Sequence, residues 1–184
     1  MQELDKSILF EARQGNLAAF EQIVLAFERP LYSYIYRLCG HRQTAEDLTQ
    51  ETFIKLFKNL KKIDPTGNLN SWMYTIATHT VYDFLRKKKH VQELFVIDDP
   101  ESDFETIAPE QTYTIVERLQ SSEEIDEALS HLKPEYKAVL LLFYRLDLPY
   151  DAIAKMMHIP IGTVKTYLHR AKISLKKYLL HRKT

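Results

Sequence analysis

The chain has 184 residues, 45% of them hydrophobic, with four glycines and a formal net charge of zero. That length buries one substantial core or two small ones, and the composition is that of folded helices, which excludes a disordered or collagen-like chain. A single cysteine, Cys39, excludes an internal disulfide, and the longest strongly apolar run, Ala138 to Tyr144, is far too short for a membrane-spanning helix.

The N-terminus lacks a basic-then-apolar leader pattern, so the expected compartment is the cytosol. Charge is unevenly distributed. Residues 1–90 carry 13 Lys and Arg against 10 Asp and Glu, residues 91–135 carry 2 against 13, and residues 136–184 carry 10 against 2. Two basic blocks around an acidic one suit a protein that touches nucleic acid at two places. The alternative, solvated helix faces with chance clustering, is disfavoured by a difference of this size, although a charge pattern alone is moderate evidence.

Helical periodicity runs from about Lys6 to Lys88, with breaks near Pro30, at Gly40 to Thr44 and at Asp64 to Asn70, which predicts four helices. In the helix from about Thr44 to Leu60, the residues Ala45, Leu48, Thr52, Leu56 and Leu60 form the inward stripe. Asp47, Gln50, Glu51 and Ile54 then share the outward face. Carboxylates three and four apart around an exposed Ile can dock a basic partner helix, and they also suit a plain solvated face.

The next helix, from Trp72 to Lys89, mixes Trp72, Tyr74, Tyr82 and Phe84 with the run Arg86, Lys87, Lys88, Lys89. Aromatic faces stack on unpaired bases and cations hold phosphates, which is the composition of a single-stranded DNA surface. Trp72, Ile76, Tyr82 and Leu85 fit a core equally well, and the Lys run fits a favourable helix C-terminus.

Residues 91–120 are acidic and weakly periodic and read as a linker. The helical pattern resumes at Ser121, with Ile125, Ala128, Leu129 and Leu132 apolar, stops before Pro134, and restarts over Glu135 to Arg145. A short helix then starts at Pro149 and turns Tyr150, Ile153, Ala154 and Met157 inward. After a bend at His158 to Pro160, a last helix turns Val164, Leu168 and Ala171 inward and Lys165, Thr166, His169 and Arg170 outward. This is a helix-turn-helix pattern whose outer face suits the major groove, although the spacing alone also fits an ordinary helical hairpin.

No strand alternation, phosphate-binding glycine loop or repeat is present. The seven His are scattered, Cys39 has no metal-ligand partner motif, and the nearest His pair, His79 and His90, reads as polar surface. No catalytic residues, metal site, cofactor or small-molecule substrate are expected. The chain reads as a non-enzyme of all-α class.

The segments Gly15 to Phe20, Ala45 to Phe53, Ser71 to Lys89 and Thr163 to Ala171, in that order and spacing, closely resemble the bacterial sigma factors of the extracytoplasmic-function (ECF) group. The resemblance implies residues 1–92 as a sigma domain-two-like helical bundle that binds core RNA polymerase and melts the minus-ten element. It implies residues 93–120 as an acidic flexible linker, and residues 121–184 as a helix-turn-helix domain for the minus-thirty-five element.

By the same resemblance, Asp47, Gln50, Glu51, Phe53 and Ile54 meet the β′ clamp helices of core polymerase, and the β flap is a further contact. Asn70, His79, Arg86, Lys87 and Lys88 hold minus-ten DNA. Thr163, Lys165, Thr166, Tyr167, His169 and Arg170 hold minus-thirty-five DNA. The linker would occupy the polymerase's basic RNA exit path. An anti-sigma factor, often membrane-bound, would hold the cytoplasmic protein inactive at the inner membrane face in a stress or envelope response.

Three residues depart from the family pattern. His79 stands in place of Asn in the helix lining the base pocket, Ala152 replaces a Glu, and Tyr167 replaces a third cation of the recognition helix. A conventional helix-turn-helix repressor or activator is the competing reading, but it needs neither the Asp47, Gln50, Glu51 face nor an aromatic single-strand surface, and no dimerisation heptads are visible.

Overall fold

The computed structural model describes residues 6–63, 68–92 and 122–181. Among them the regular structure is helical, with no strand, and the chain divides into two compact units, Met1–Lys87 and Lys88–Thr184. The linker expected over residues 93–120 lies outside the described residues.

The first unit contains α1 (Lys6–Arg13), α2 (Leu17–Cys39), α3 (Arg42–Asn59), a single 3-10 turn at Leu60–Lys62, and most of α4 (Leu69–Gln92). Four α-helices form, with the expected breaks after Cys39 and before Leu69, but with a break at Gly15 in place of the one expected near Pro30. The chain turns at Gly15, whose φ of 93° is in the left-handed region, and Asn16 then starts α2 by accepting the Ala18 and Ala19 N–H groups on Oδ1 at 3.0 and 3.2 Å.

Pro30, expected to end a helix, lies inside α2. A proline in a helix interior costs about 3 kcal/mol through its missing N–H and ring clash. Phe27, Leu31, Tyr34, Ile35 and Leu38 are all buried on the same helix, and each such side chain contributes about 1.5–3 kcal/mol. Burial on both sides of Pro30 outweighs the local defect.

Gly40, with φ of 73°, closes α2 by donating its N–H to Tyr36 O at 2.7 Å. Helix α3 then packs on α2 through the expected stripe, with Ala45, Leu48, Thr52, Leu56 and Leu60 all buried. Buried Thr49 and Thr52 return their hydroxyl protons to the carbonyls of Ala45 and Leu48, so neither leaves an unsatisfied group in the core.

In the second unit α5 (Ser122–Ser130), α6 (Pro134–Tyr144), α7 (Tyr150–Met157) and α8 (Ile161–His181) follow. Pro134 occupies the first position of α6, where its missing N–H costs least. Helix α6 is the centre of the unit, with Ala138 to Leu142 buried without interruption, and α8 packs against α5, α6 and α7.

Candidate functional site

Three surfaces carry the expected site residues. On α3, Asp47, Gln50, Glu51 and Ile54 are all exposed, as the periodicity requires. Glu51 pairs with Lys55 one turn on, Nζ to Oε1 at 2.8 Å, and the same ammonium donates to Thr80 Oγ1 of α4 at 3.1 Å. The acidic face is therefore partly neutralised within its own helix, and a cationic partner would compete with Lys55 for Glu51.

Phe53 does not belong to that surface. Its side chain is buried beside the inward stripe, so its place is under the face rather than on it. Phe57, which the sequence reading did not select, is instead 47% exposed and continues the apolar line of Ile54, at 54%. The Phe20 ring of α2 meets it edge-on at 4.9 Å. The spacing of 54 and 57 on one helix face was the signal available for it.

Helix α4 separates the residues assigned to unpaired DNA. Nine positions apart, Asn70 and His79 point half a turn away from each other around the helix. Asn70 lies in line with Tyr74, Ala77 and Val81, which are buried, whereas His79 shares its face with Trp72 and Arg86. Arg86 is exposed and ion-paired with Asp83, and Lys87 is exposed. Lys88 is helical, and its side chain lies outside the described residues. Of the aromatics, Tyr74 is buried, while Trp72, Tyr82 and Phe84 are half-buried.

The bend between α7 and α8 is built by the backbone. His158 adopts φ 53°, ψ 42°, and with Ile159 sends N–H groups back to Lys155 O and Ala154 O, at 3.4 and 3.1 Å. This double closure usually has glycine at the left-handed position. Helix α7 begins at Tyr150, with Pro149 as its cap, and buries Ile153, Met156 and Met157. Met156 joins the expected set, and Tyr150 and Ala154 are only half-buried.

On α8, Val164, Leu168 and Ala171 are buried as expected. Lys165 and Arg170 are exposed, and Thr163, Thr166, Tyr167 and His169 are half-buried. Thr166 donates to Gly162 O at 3.0 Å, so its hydroxyl offers an acceptor to an incoming group. Arg170 Nη1 donates to the Tyr136 hydroxyl of α6 at 3.3 Å. Higher on α8, Lys172 holds its ammonium 5.8 Å from the Tyr144 ring centroid, and partial burial lowers its pKa. The result is a convex helix with a cationic, hydrogen-bonding outer surface on an apolar base, able to enter a groove of duplex DNA.

Among the described residues no cluster of His, Cys, Asp and Glu could hold a metal ion, and no helix is long and apolar enough to cross a membrane.

Sigma-70 region 2 matches residues 23–91, and Sigma-70, region 4 matches residues 122–175. The ECF RNA polymerase sigma factor SigW of Bacillus subtilis (strain 168) is 30% identical over 189 residues, which covers 97% of this chain and 98% of that relative. RNA polymerase sigma factor SigV of the same organism is 30% identical, covering 86% of this chain and 90% of the relative. Two solved structures share the fold. CnrH in complex with the cytosolic domain of CnrY has a TM-score of 0.65 at 19% identity, covering 95% of this chain and 96% of the other. The sigma factor RpoE in complex with the anti-sigma factor NepR, from Bartonella quintana, has a TM-score of 0.65 at 23% identity, covering 87% and 96%.

Proposed function

The chain belongs to the ECF sigma factors, which bind core RNA polymerase and direct promoter-specific initiation of transcription, and we propose that it divides this work among the three surfaces above. The α3 face of Asp47, Gln50, Glu51 and Ile54 docks the β′ clamp helices. Helix α4 holds the melted minus-ten strand through His79, Arg86, Lys87 and Lys88, with Asn70 at its entrance. Helix α8 binds the minus-thirty-five element through Lys165, Thr166, His169 and Arg170, flanked by Thr163 and Tyr167. The second unit also meets the β flap. The protein performs no chemistry of its own and works in the bacterial cytoplasm.

One observation supports this division most strongly: four side chains of three chemical kinds, acid, amide and apolar, are exposed together on α3. A regulator that binds duplex DNA by itself has no use for such a face. A partner with cations around an apolar centre fits it, with Ile54 and Phe57 supplying apolar contact and the carboxylates setting orientation. Phe53 holds the helix from beneath.

Regulation follows the same chemistry. The solved relatives named above are complexes with NepR and with the cytosolic domain of CnrY, and an anti-sigma partner that covers the polymerase-binding and DNA-binding surfaces would silence this chain. A membrane-bound partner of that kind would hold it at the inner face of the cell membrane.

The test is co-elution with bacterial core RNA polymerase and run-off transcription, comparing the wild type with Asp47→Ala/Glu51→Ala. Weakened association with loss of initiation is expected. Unchanged association of the double variant would remove the α3 face from the docking surface.

A further inference from the structure

Tyr167 lies on the flank of α8 turned toward α6, and its ring centroid is 5.3 Å from that of Tyr136, with the planes tilted by 52°. Tyr136 is in the first turn of α6 and half-buried. Its hydroxyl accepts the hydrogen bond from Arg170 Nη1, across a sequence separation of 34 residues. One phenol thus touches both ends of a single turn of the recognition helix.

We propose that Tyr136 is a positioning residue for promoter reading: it sets the aim of the Arg170 guanidinium at a base edge, and Tyr167 holds the Tyr136 ring in place. The proposal rests on the assignment of α8 to the minus-thirty-five element. A guanidinium reads guanine with two parallel N–H groups from a rigid fork. That fork sits on a long side chain with much rotamer freedom to lose. A phenol has only two torsions, and Tyr136 is further restrained by ring contact, so a hydrogen bond to it fixes one corner of the fork before DNA arrives.

Ordering the reader in advance lowers the cost of binding and concentrates the benefit at one base pair. Tyr167 contributes in two ways. It supplies the wall against which Tyr136 rests, and as a neutral residue three positions before Arg170 it avoids placing a like charge one turn away.

The test uses holoenzyme reconstituted from bacterial core RNA polymerase with wild type, Tyr136→Phe, Arg170→Ala or the double variant. Each is presented with a duplex pool randomised across the upstream promoter element, and bound and unbound fractions are sequenced. Arg170→Ala is expected to erase base preference at one position. Tyr136→Phe keeps the ring contact and is expected to lower discrimination at that same position about threefold to tenfold. Other positions and the salt dependence should stay at wild-type values, and the double variant should match Arg170→Ala.

Three outcomes overturn the proposal: wild-type discrimination by Tyr136→Phe, equal weakening on all sequences, or a further loss when Tyr136→Phe is added to Arg170→Ala. The last two would mark Tyr136 as a direct phosphate contact. Thermal melting of the free variant identifies a folding defect, which would also count against a positioning role. If Arg170→Ala changes no base preference, the assignment of α8 to promoter reading fails first, and the positioning role fails with it.

Discussion

The Tyr34 hydroxyl and Thr78 Oγ1 lie 2.7 Å apart in the buried seam between α2 and α4, and only one direction of donation satisfies both groups. Thr78 commits its single proton to Tyr74 O at 2.6 Å, so Tyr34 must be the donor to Thr78. The Tyr34 and Tyr74 rings meet edge-to-face at 5.0 Å beside this bond. An aromatic pair and a short hydrogen-bond chain therefore fasten helix α4 to the long helix α2.

This seam makes folding sensitive to alkaline pH. Burial is the largest cause of the rise in the Tyr34 pKa, well above the ordinary value of 10.0; the bond to Thr78 acts in the opposite direction. Above that ordinary value the unfolded chain loses the Tyr34 proton while the folded chain keeps it, so stability must fall as pH rises. Each such group contributes about 1.4 kcal/mol per pH unit. Urea unfolding of the first unit between pH 9 and pH 11 should show stability falling with a slope that steepens through pH 10 and approaches that of about one proton near pH 11. Tyr34→Phe should cost about 1 kcal/mol at neutral pH and flatten the alkaline slope.

Asn16 is the start signal of α2. Its Oδ1 accepts two backbone N–H groups, and its Nδ2 donates to Glu11 Oε2 at 3.0 Å. Asn16→Ala is expected to destabilise the first unit by about 1 kcal/mol. Asn16→Asp keeps the acceptor but places a second carboxylate against Glu11, so its urea midpoint should lie between those of the wild type and Asn16→Ala.

His158 carries the bend of the helix-turn-helix in a conformation that costs a side chain about 1–2 kcal/mol relative to glycine. His158→Gly relieves that strain and adds backbone freedom to the unfolded chain. The net expectation is a stabilisation of up to about 1 kcal/mol, read as a higher melting temperature with recognition of upstream DNA retained. A lower melting temperature would show that the contacts of the His158 side chain outweigh the strain.

Lys165 tests the electrostatic part of DNA binding separately from base reading. It is exposed on the shoulder of α8. Lys165→Ala should weaken holoenzyme binding to all upstream sequences alike and reduce the slope of log affinity against log salt by about 1. A change in base preference instead would place Lys165 among the readers.

Much of this molecule is written locally. Which face of α3 or α8 turns inward follows from apolar residues at three- and four-residue spacing, because helical register is set by backbone geometry within a few residues. The stripes Ala45, Leu48, Thr52, Leu56 and Val164, Leu168, Ala171 were legible for that reason, as was the bend at His158 to Pro160. Pro30 was not, since a local rule ends a helix there and only the packing of Phe27, Leu31 and Tyr34 shows that burial overrides it. Phe53 is buried and Phe57 exposed on the same helix, the reverse of the expected contact set, although the shared face of Ile54 and Phe57 was legible in their spacing. The bonds of Tyr34 to Thr78 and of Arg170 to Tyr136 span 44 and 34 residues, and no periodicity links such positions. Side-chain direction is a short-range property of the chain, whereas partnership between distant side chains exists only once the helices have packed.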